Sequence, residues 1–77
     1  MKVTLESTTK TVMLVVDGVQ VPARVWEGVT EKGIPCHALI TRIAVHNSLN
    51  AEEFERDLKE QRAPSADIAA IPLRMIL

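Results

Sequence analysis

A chain of 77 residues that is 47% apolar, yet has one Phe, one Trp and no Tyr, has room for a single small domain and little aromatic bulk to fill a core. At this size a hydrophobic core supplies no more than about 3–5 kcal/mol, and such folds are commonly completed by disulfides, metal or oligomerisation. Cys36 is the only cysteine, which excludes an internal disulfide, and a net charge of −1 provides no basic field to draw the chain to nucleic acid or anionic lipid.

The segment from Met1 to Glu6 is charged too early for a signal peptide, and no apolar run approaches the roughly 18 residues of a membrane span. The expectation is a soluble, cytoplasmic protein with no membrane partner and nucleic acid disfavoured.

Lys2 to Glu6 alternates polar and apolar, and Thr11 to Val16 continues as a β-branched run that stops at Asp17-Gly18. Asp-Gly between two such runs predicts a type I′ hairpin turn, which needs φ > 0 at both central residues. The return strand spans Val19 to about Thr30. Glu31-Lys32-Gly33 supplies a second turn, with Gly33 at the left-handed position of a three-residue loop, and a third strand follows from Ile34 to about Val45.

Asn50 is placed as the N-cap of a helix, with Glu53 at the third helical position for a capping-box pairing and Leu49 stapling against Phe54. Ala51, Phe54 and Leu58 share one stripe, Arg62 falls in the last turn and Pro64 ends it. Ala63 to Asp67 is a connector in which Ser65 caps a short helical turn. From Ile71 to Leu77 the tail alternates Ile71, Leu73, Met75 and Leu77 with Pro72, Arg74 and Ile76, a pattern that seeks a sheet, with Pro72 at an edge or bulge. The fold class is α+β: an antiparallel β-meander with one helix packed on one face and a C-terminal strand that joins the sheet or reaches into a neighbour. It forms a single domain over 1–77, with the amino-terminal segment pairing at an edge.

A two-residue first loop sets Val16 opposite Val19, Leu14 opposite Val21, Val12 opposite Ala23 and Lys10 opposite Val25. A three-residue second loop sets Glu27 opposite His37, Val25 opposite Leu39 and Val21 opposite Ile43; a two-residue Lys32-Gly33 loop would instead flip the third strand. One sheet face then holds Val12, Leu14, Val16, Val21, Ala23, Val25, Leu39 and Ile43, and takes the helix through Phe54 and Leu58.

The other face carries Met13, Val15, Pro22, Trp26, Ile34, Cys36, Ala38 and Ile40, with Thr11, Arg24 and Arg42 among them. A solvated antiparallel face is mostly polar and this one is not, which points to a homo-oligomer. Met13, Ile34, Ala38, Ile40 and, from the tail, Met75 are the candidate interface contacts.

Arg24, Trp26 and Arg42 form the candidate ligand-binding group, because guanidinium forks match phosphate oxygens and an indole offers a stacking surface. The competing account makes the arginines the rim, and the tryptophan the anchor, of a protein interface. Cys36-His37 fails as a nucleophile and base, since neighbours on a strand point to opposite faces, and Cys36, His37 and His46 lack structural-zinc spacing. No Gly-rich phosphate loop or catalytic triad signature is present. No catalytic residue, metal ligand or cofactor is therefore assigned, and the chain is expected not to be an enzyme. Glu52, Glu53 and Asp57 on the acidic helix are the candidate surface for a basic partner.

The strand Val21-Pro22-Ala23-Arg24-Val25-Trp26-Glu27-Gly28 and the tail Ile71-Pro72-Leu73-Arg74-Met75-Ile76-Leu77 resemble small proteins encoded by tailed phages and prophages. The resemblance implies an accessory, counter-defence protein acting in the host cytoplasm, one that sequesters a small phosphorylated ligand such as a cyclic nucleotide signal. Two other roles fit the same resemblance: an anti-CRISPR-type inhibitor docked on a host defence complex, and a minor structural or assembly protein.

Overall fold

The computed structural model describes residues 1–46 and 48–76, with Ser48 described by its backbone alone. Three long or medium strands form an antiparallel meander: β1 (Val3–Val16), β2 (Val19–Thr30) and β3 (Pro35–Ile40). A 3-10 turn at Ser48–Asn50 leads into α1 (Ala51–Leu58), then come a one-turn helix α2 (Ala66–Ala69) and a short strand β4 (Arg74–Ile76). The sheet order is β3-β2-β1-β4, and β4 runs parallel to β1. The architecture is α+β, as the apolar alternation predicts.

Both hairpin turns follow from their glycines. Asp17 (φ 51°) and Gly18 (φ 80°) adopt the left-handed pair that a type I′ turn requires. Gly33 (φ 81°) closes the second loop, where Thr30 N–H donates to Ile34 C=O and Gly33 N–H to Thr30 C=O, both at 2.9 Å. The three-residue loop is thus the one formed, and the registers Leu14 opposite Val21, Val12 opposite Ala23, Val25 opposite Leu39 and Glu27 opposite His37 all hold. Val21 does not reach Ile43, because β3 stops at Ile40.

Lys10 does not face Val25. Between the pairs Ser7–Trp26 and Thr11–Arg24, the three residues Thr8, Thr9 and Lys10 oppose Val25 alone, so β1 bulges there. Thr8 is fully buried in the bulge, and its hydroxyl donates to Val25 C=O at 2.6 Å while accepting Lys10 N–H at 3.2 Å. The bulge lets one continuous strand pair with β2 on both sides of it. Beyond the bulge β1 is interior, flanked by β4 at Met13–Val15 and by Arg62 at Thr8, whereas its amino-terminal stretch Val3–Glu6 pairs with β2 alone and forms an edge among the described residues, as the sequence suggests.

The core is Val12, Leu14, Ala23, Val25 and Ile68, with Val21, Leu39, Ile71 and Met75 packed against it. The cover on this face comes from α2 and the tail, where sequence periodicity had placed Phe54 and Leu58. α1 buries none of its residues and lies over the opposite face. Met75, an expected interface contact, packs on the core opposite Leu14. Its strand joins its own sheet, and Leu77, the last apolar position of the tail, lies outside the described residues.

The helix also ends earlier than its charge pattern suggests. Lys59 is its C-cap, and Arg62 lies beyond it in a parallel bridge to Thr8 at the bulge of β1, with Thr9 N–H donating to Arg62 C=O at 3.0 Å. Asn50 precedes the helix with φ −104° and ψ 9° and makes no side-chain cap bond, because the preceding 3-10 turn holds it outside the extended geometry of a capping residue. Leu49, offered as a staple, stands 89% exposed. Ser65 does cap α2, accepting Ile68 N–H at 3.4 Å.

Candidate functional site

The strand pairing places Thr11, Arg24, Trp26 and Ile40 on one sheet face, since successive residues alternate and Thr11–Arg24 and Arg24–Ile40 are direct partners. After β3 the chain continues through Thr41, Arg42 and Ile43, rises to the 3-10 turn and returns in α1. The returning helix sets Glu55, Leu58 and Lys59 across from the sheet. Between them lies an open cleft of about 610 Å³, walled by Arg24, Trp26, Arg42, Glu55 and Lys59 over an apolar floor that includes Pro22 and Ile40.

All three residues singled out from the sequence, Arg24, Trp26 and Arg42, thus line one cavity. Lys59 was missed. Its approach depends on α1 crossing this face, which the helical stripe alone did not reveal. Three cationic side chains face one carboxylate in the cleft, a balance that favours an anionic occupant.

Arg24 has a structural duty as well, for its Nη1 donates to Thr8 C=O at 2.8 Å in the bulge. A guanidinium carries five N–H donors, so that bond leaves others to face the cleft. Trp26 is half-buried and forms the wall between this cleft and a second hollow of about 350 Å³ bordered by Glu6, Ser7, Asp57, Glu60 and Arg62.

A polar clasp holds the chain where it passes from the α1 face to the core face. Arg62 Nη1 donates to Glu27 Oε1 at 2.6 Å and its Nε to Glu6 Oε2 at 3.1 Å. Ser65 gives Glu27 both its N–H and its hydroxyl, each at 2.8 Å, and Ser7 Oγ donates to Glu60 C=O at 2.7 Å. These bonds hold the Glu27 carboxyl below its ordinary range, the Ser65 N–H first, then the Ser65 hydroxyl and Arg62. The carboxylate is therefore committed to Arg62 and Ser65, and not to His37, which sits opposite it on β3 and is exposed.

Met13, Ala38 and Ile40 are half-buried on the cleft face of the sheet, while Ile34 lies just before β3 and is 59% exposed. Glu52, Glu53 and Asp57 are exposed on α1. Cys36 is half-buried with a free thiol. Among the described residues no group of His, Cys, Asp and Glu is placed to hold a metal ion, and no helix is long and apolar enough to cross a membrane. Comparison of the chain with protein-family models, with curated proteins and with solved structures finds no match.

Proposed function

We propose that the chain is a non-catalytic binding protein that holds a small phosphorylated ligand with a planar ring, of the cyclic-nucleotide class, in the cleft between α1 and the sheet. The observation that carries this reading is the convergence of Arg24, Trp26, Arg42 and Lys59, from β2, the segment after β3 and α1, on one cavity of about 610 Å³. That volume lies within the roughly 300–1,000 Å³ of small-molecule sites. Arginine forks and a lysine suit phosphate oxygens, and the indole suits a base. Sequestering such a ligand requires no bond to be made or broken, in keeping with a phage accessory protein that withdraws a signal nucleotide from a host defence in the cytoplasm.

Trp26 is the only tryptophan and lines the cleft, so its fluorescence reports occupancy directly. Titration with 3′,5′-cyclic AMP, 3′,5′-cyclic GMP and cyclic di-AMP, with inorganic phosphate as control, is expected to give a saturable change for at least one nucleotide. Arg42→Ala, at an exposed position beyond the end of β3, is expected to weaken that binding at least tenfold. A flat response to all the nucleotides overturns the reading.

A second reading draws on α1 itself, which buries no residue and exposes Glu52, Glu53 and Asp57. An acidic helix held off the core suits docking on a basic surface of a host defence complex. Reversing those three charges would then abolish capture of the partner and leave nucleotide binding unchanged.

A further inference from the structure

β3 closes one side of the sheet, with β2 on its inner flank and no strand among the described residues on its outer flank. Exposed edges are normally blunted by charges, bulges or an interior proline. The six residues Pro35–Ile40 hold no charged side chain at neutral His37, run without a bulge, and have their proline only at the start. The opposite edge is different, for β4 is three residues long and Pro72 lies just before it.

Ladder geometry identifies the groups that this edge offers. Thr30 and Ile34 close the loop as a bonded pair, and bonded pairs recur at every second residue of an antiparallel ladder. Gly28–Cys36, Trp26–Ala38 and Arg24–Ile40 therefore turn their backbone groups toward each other. His37 and Leu39 turn their N–H and C=O outward.

We infer that a second copy of this chain adds to this edge, β3 against β3 in antiparallel fashion, about a two-fold axis at Ala38. In that register His37 of each protomer forms a bonded pair with the partner's Leu39, and all the outward groups of both residues are satisfied. Ala38 meets its own counterpart as the unbonded pair, where Cα atoms approach most closely, to about 4.5 Å, and a small side chain is needed. Cys36 lies opposite Ile40 of the second copy, so apolar meets apolar on the cleft face. No like charges are opposed, since the strand carries none. The register is thus self-complementary, as an isologous contact must be. The two sheets become one, and Ile40, part of the cleft floor, sits at the seam. This inference does not depend on the cleft's ligand.

The deciding variant is His37→Pro. It deletes one outward N–H, and proline is tolerated at an edge position whose N–H makes no bond within its own sheet. Light scattering after gel filtration is expected to give a dimer for the wild type and a monomer for His37→Pro, with unchanged far-ultraviolet circular dichroism. Ala38→Pro, which deletes an inward N–H, should instead lose structure. A wild type that stays monomeric at several hundred micromolar overturns the inference, and so does a folded His37→Pro dimer, which would move the contact to the sheet face. Should His37→Pro unfold, amide exchange on the wild type decides. His37 and Leu39 must be protected at high concentration and released on dilution, and fast exchange at high concentration sinks the idea.

Discussion

Glu27 and Arg62, separated by 35 positions, meet at 2.6 Å where the chain leaves α1 and crosses the edge of β1. Glu27 is the more enclosed partner, with 12% of its side chain exposed against 40% for Arg62, whereas Glu6, the other carboxylate on Arg62, is 69% exposed. The clasp is what ties a helix with no buried residue to the sheet. Its strength rests on the ionised form of Glu27, because the folded state lowers that group's pKa.

A lowered folded pKa gives stability that is present above the ordinary glutamate range and lost as pH falls through the folded value. Thermal melts of Glu27→Gln should therefore lie below wild type at pH 7, and the gap should close toward pH 3. Glu6→Gln, at the exposed end, should change little. Equal melting temperatures for wild type and Glu27→Gln at pH 7 would remove the clasp from the account.

Thr8 supports the bulge by a different route. Its hydroxyl is wholly enclosed and serves Val25 C=O and Lys10 N–H together. Thr8→Val keeps the shape and strands both backbone groups, at a cost of about 1–3 kcal/mol in chemical denaturation. Thr8→Ser, which keeps the hydroxyl, should recover part of that loss.

The cover of the core can be tested by comparing two helices. Ile68 on α2 is 6% exposed and belongs to the core cluster, whereas Leu58 on α1 is 36% exposed. Ile68→Ala should cost about 2–5 kcal/mol, enough to unfold a domain this small at moderate temperature. Leu58→Ala should cost less than half as much. The reverse ranking would return α1 to the core face.

These comparisons also show where the sequence is legible. Asp17-Gly18 and Gly33 announce their turns because left-handed backbone is cheap only for a few residue types, and two turns of known length determine the register of three strands. Arg24 and Trp26 share a face by that register, and Arg42, which lies beyond the end of β3, reaches the same cavity through the segment that follows. Thr8-Thr9-Lys10 carries no such marker, since any residue can occupy a bulge of this kind, and it became visible only through its bonds to Val25, Arg24 and Arg62. The placement of α1 was hidden for a related reason. Arg62 suits a helix end by charge, but its partner Glu27 on β2 pulls it into an extended crossing, and the short α2 takes the core face instead.

Gly28 is required by close packing and not by an unusual φ. It pairs with Leu5, and a Cβ added there would be driven into the Thr4 carbonyl. The obstacle is backbone, which cannot swing aside as a flexible side chain would. Gly28→Ala should therefore force β1 and β2 apart near their outer ends, with loss of amide protection at Thr4 and Glu6, whose N–H groups face β2, and retention of it at Val12, Leu14 and Val16. Full retention at Thr4 and Glu6 would show that the added methyl is absorbed without disturbing the pairing, and would overturn the prediction.

Glu55 is the one carboxylate among the cations that wall the cleft. A phosphorylated ligand held by Arg24, Arg42 and Lys59 meets it as a like charge, partly screened because the cleft is open to water. At a separation of about 7 Å in a solvated cleft the repulsion is on the order of 0.5–1 kcal/mol. Glu55→Gln should accordingly bind a cyclic nucleotide about two to five times more tightly at low salt, as read from Trp26 fluorescence. Raising the salt to about 0.5 M shortens the screening length to a few ångströms and should erase most of the difference. Lys59→Gln should act in the opposite direction under the same salt dependence. If Glu55→Gln instead weakens binding at both salt concentrations, the carboxylate accepts a hydrogen bond from the ligand, and the phosphate lies on the arginine side of the cleft.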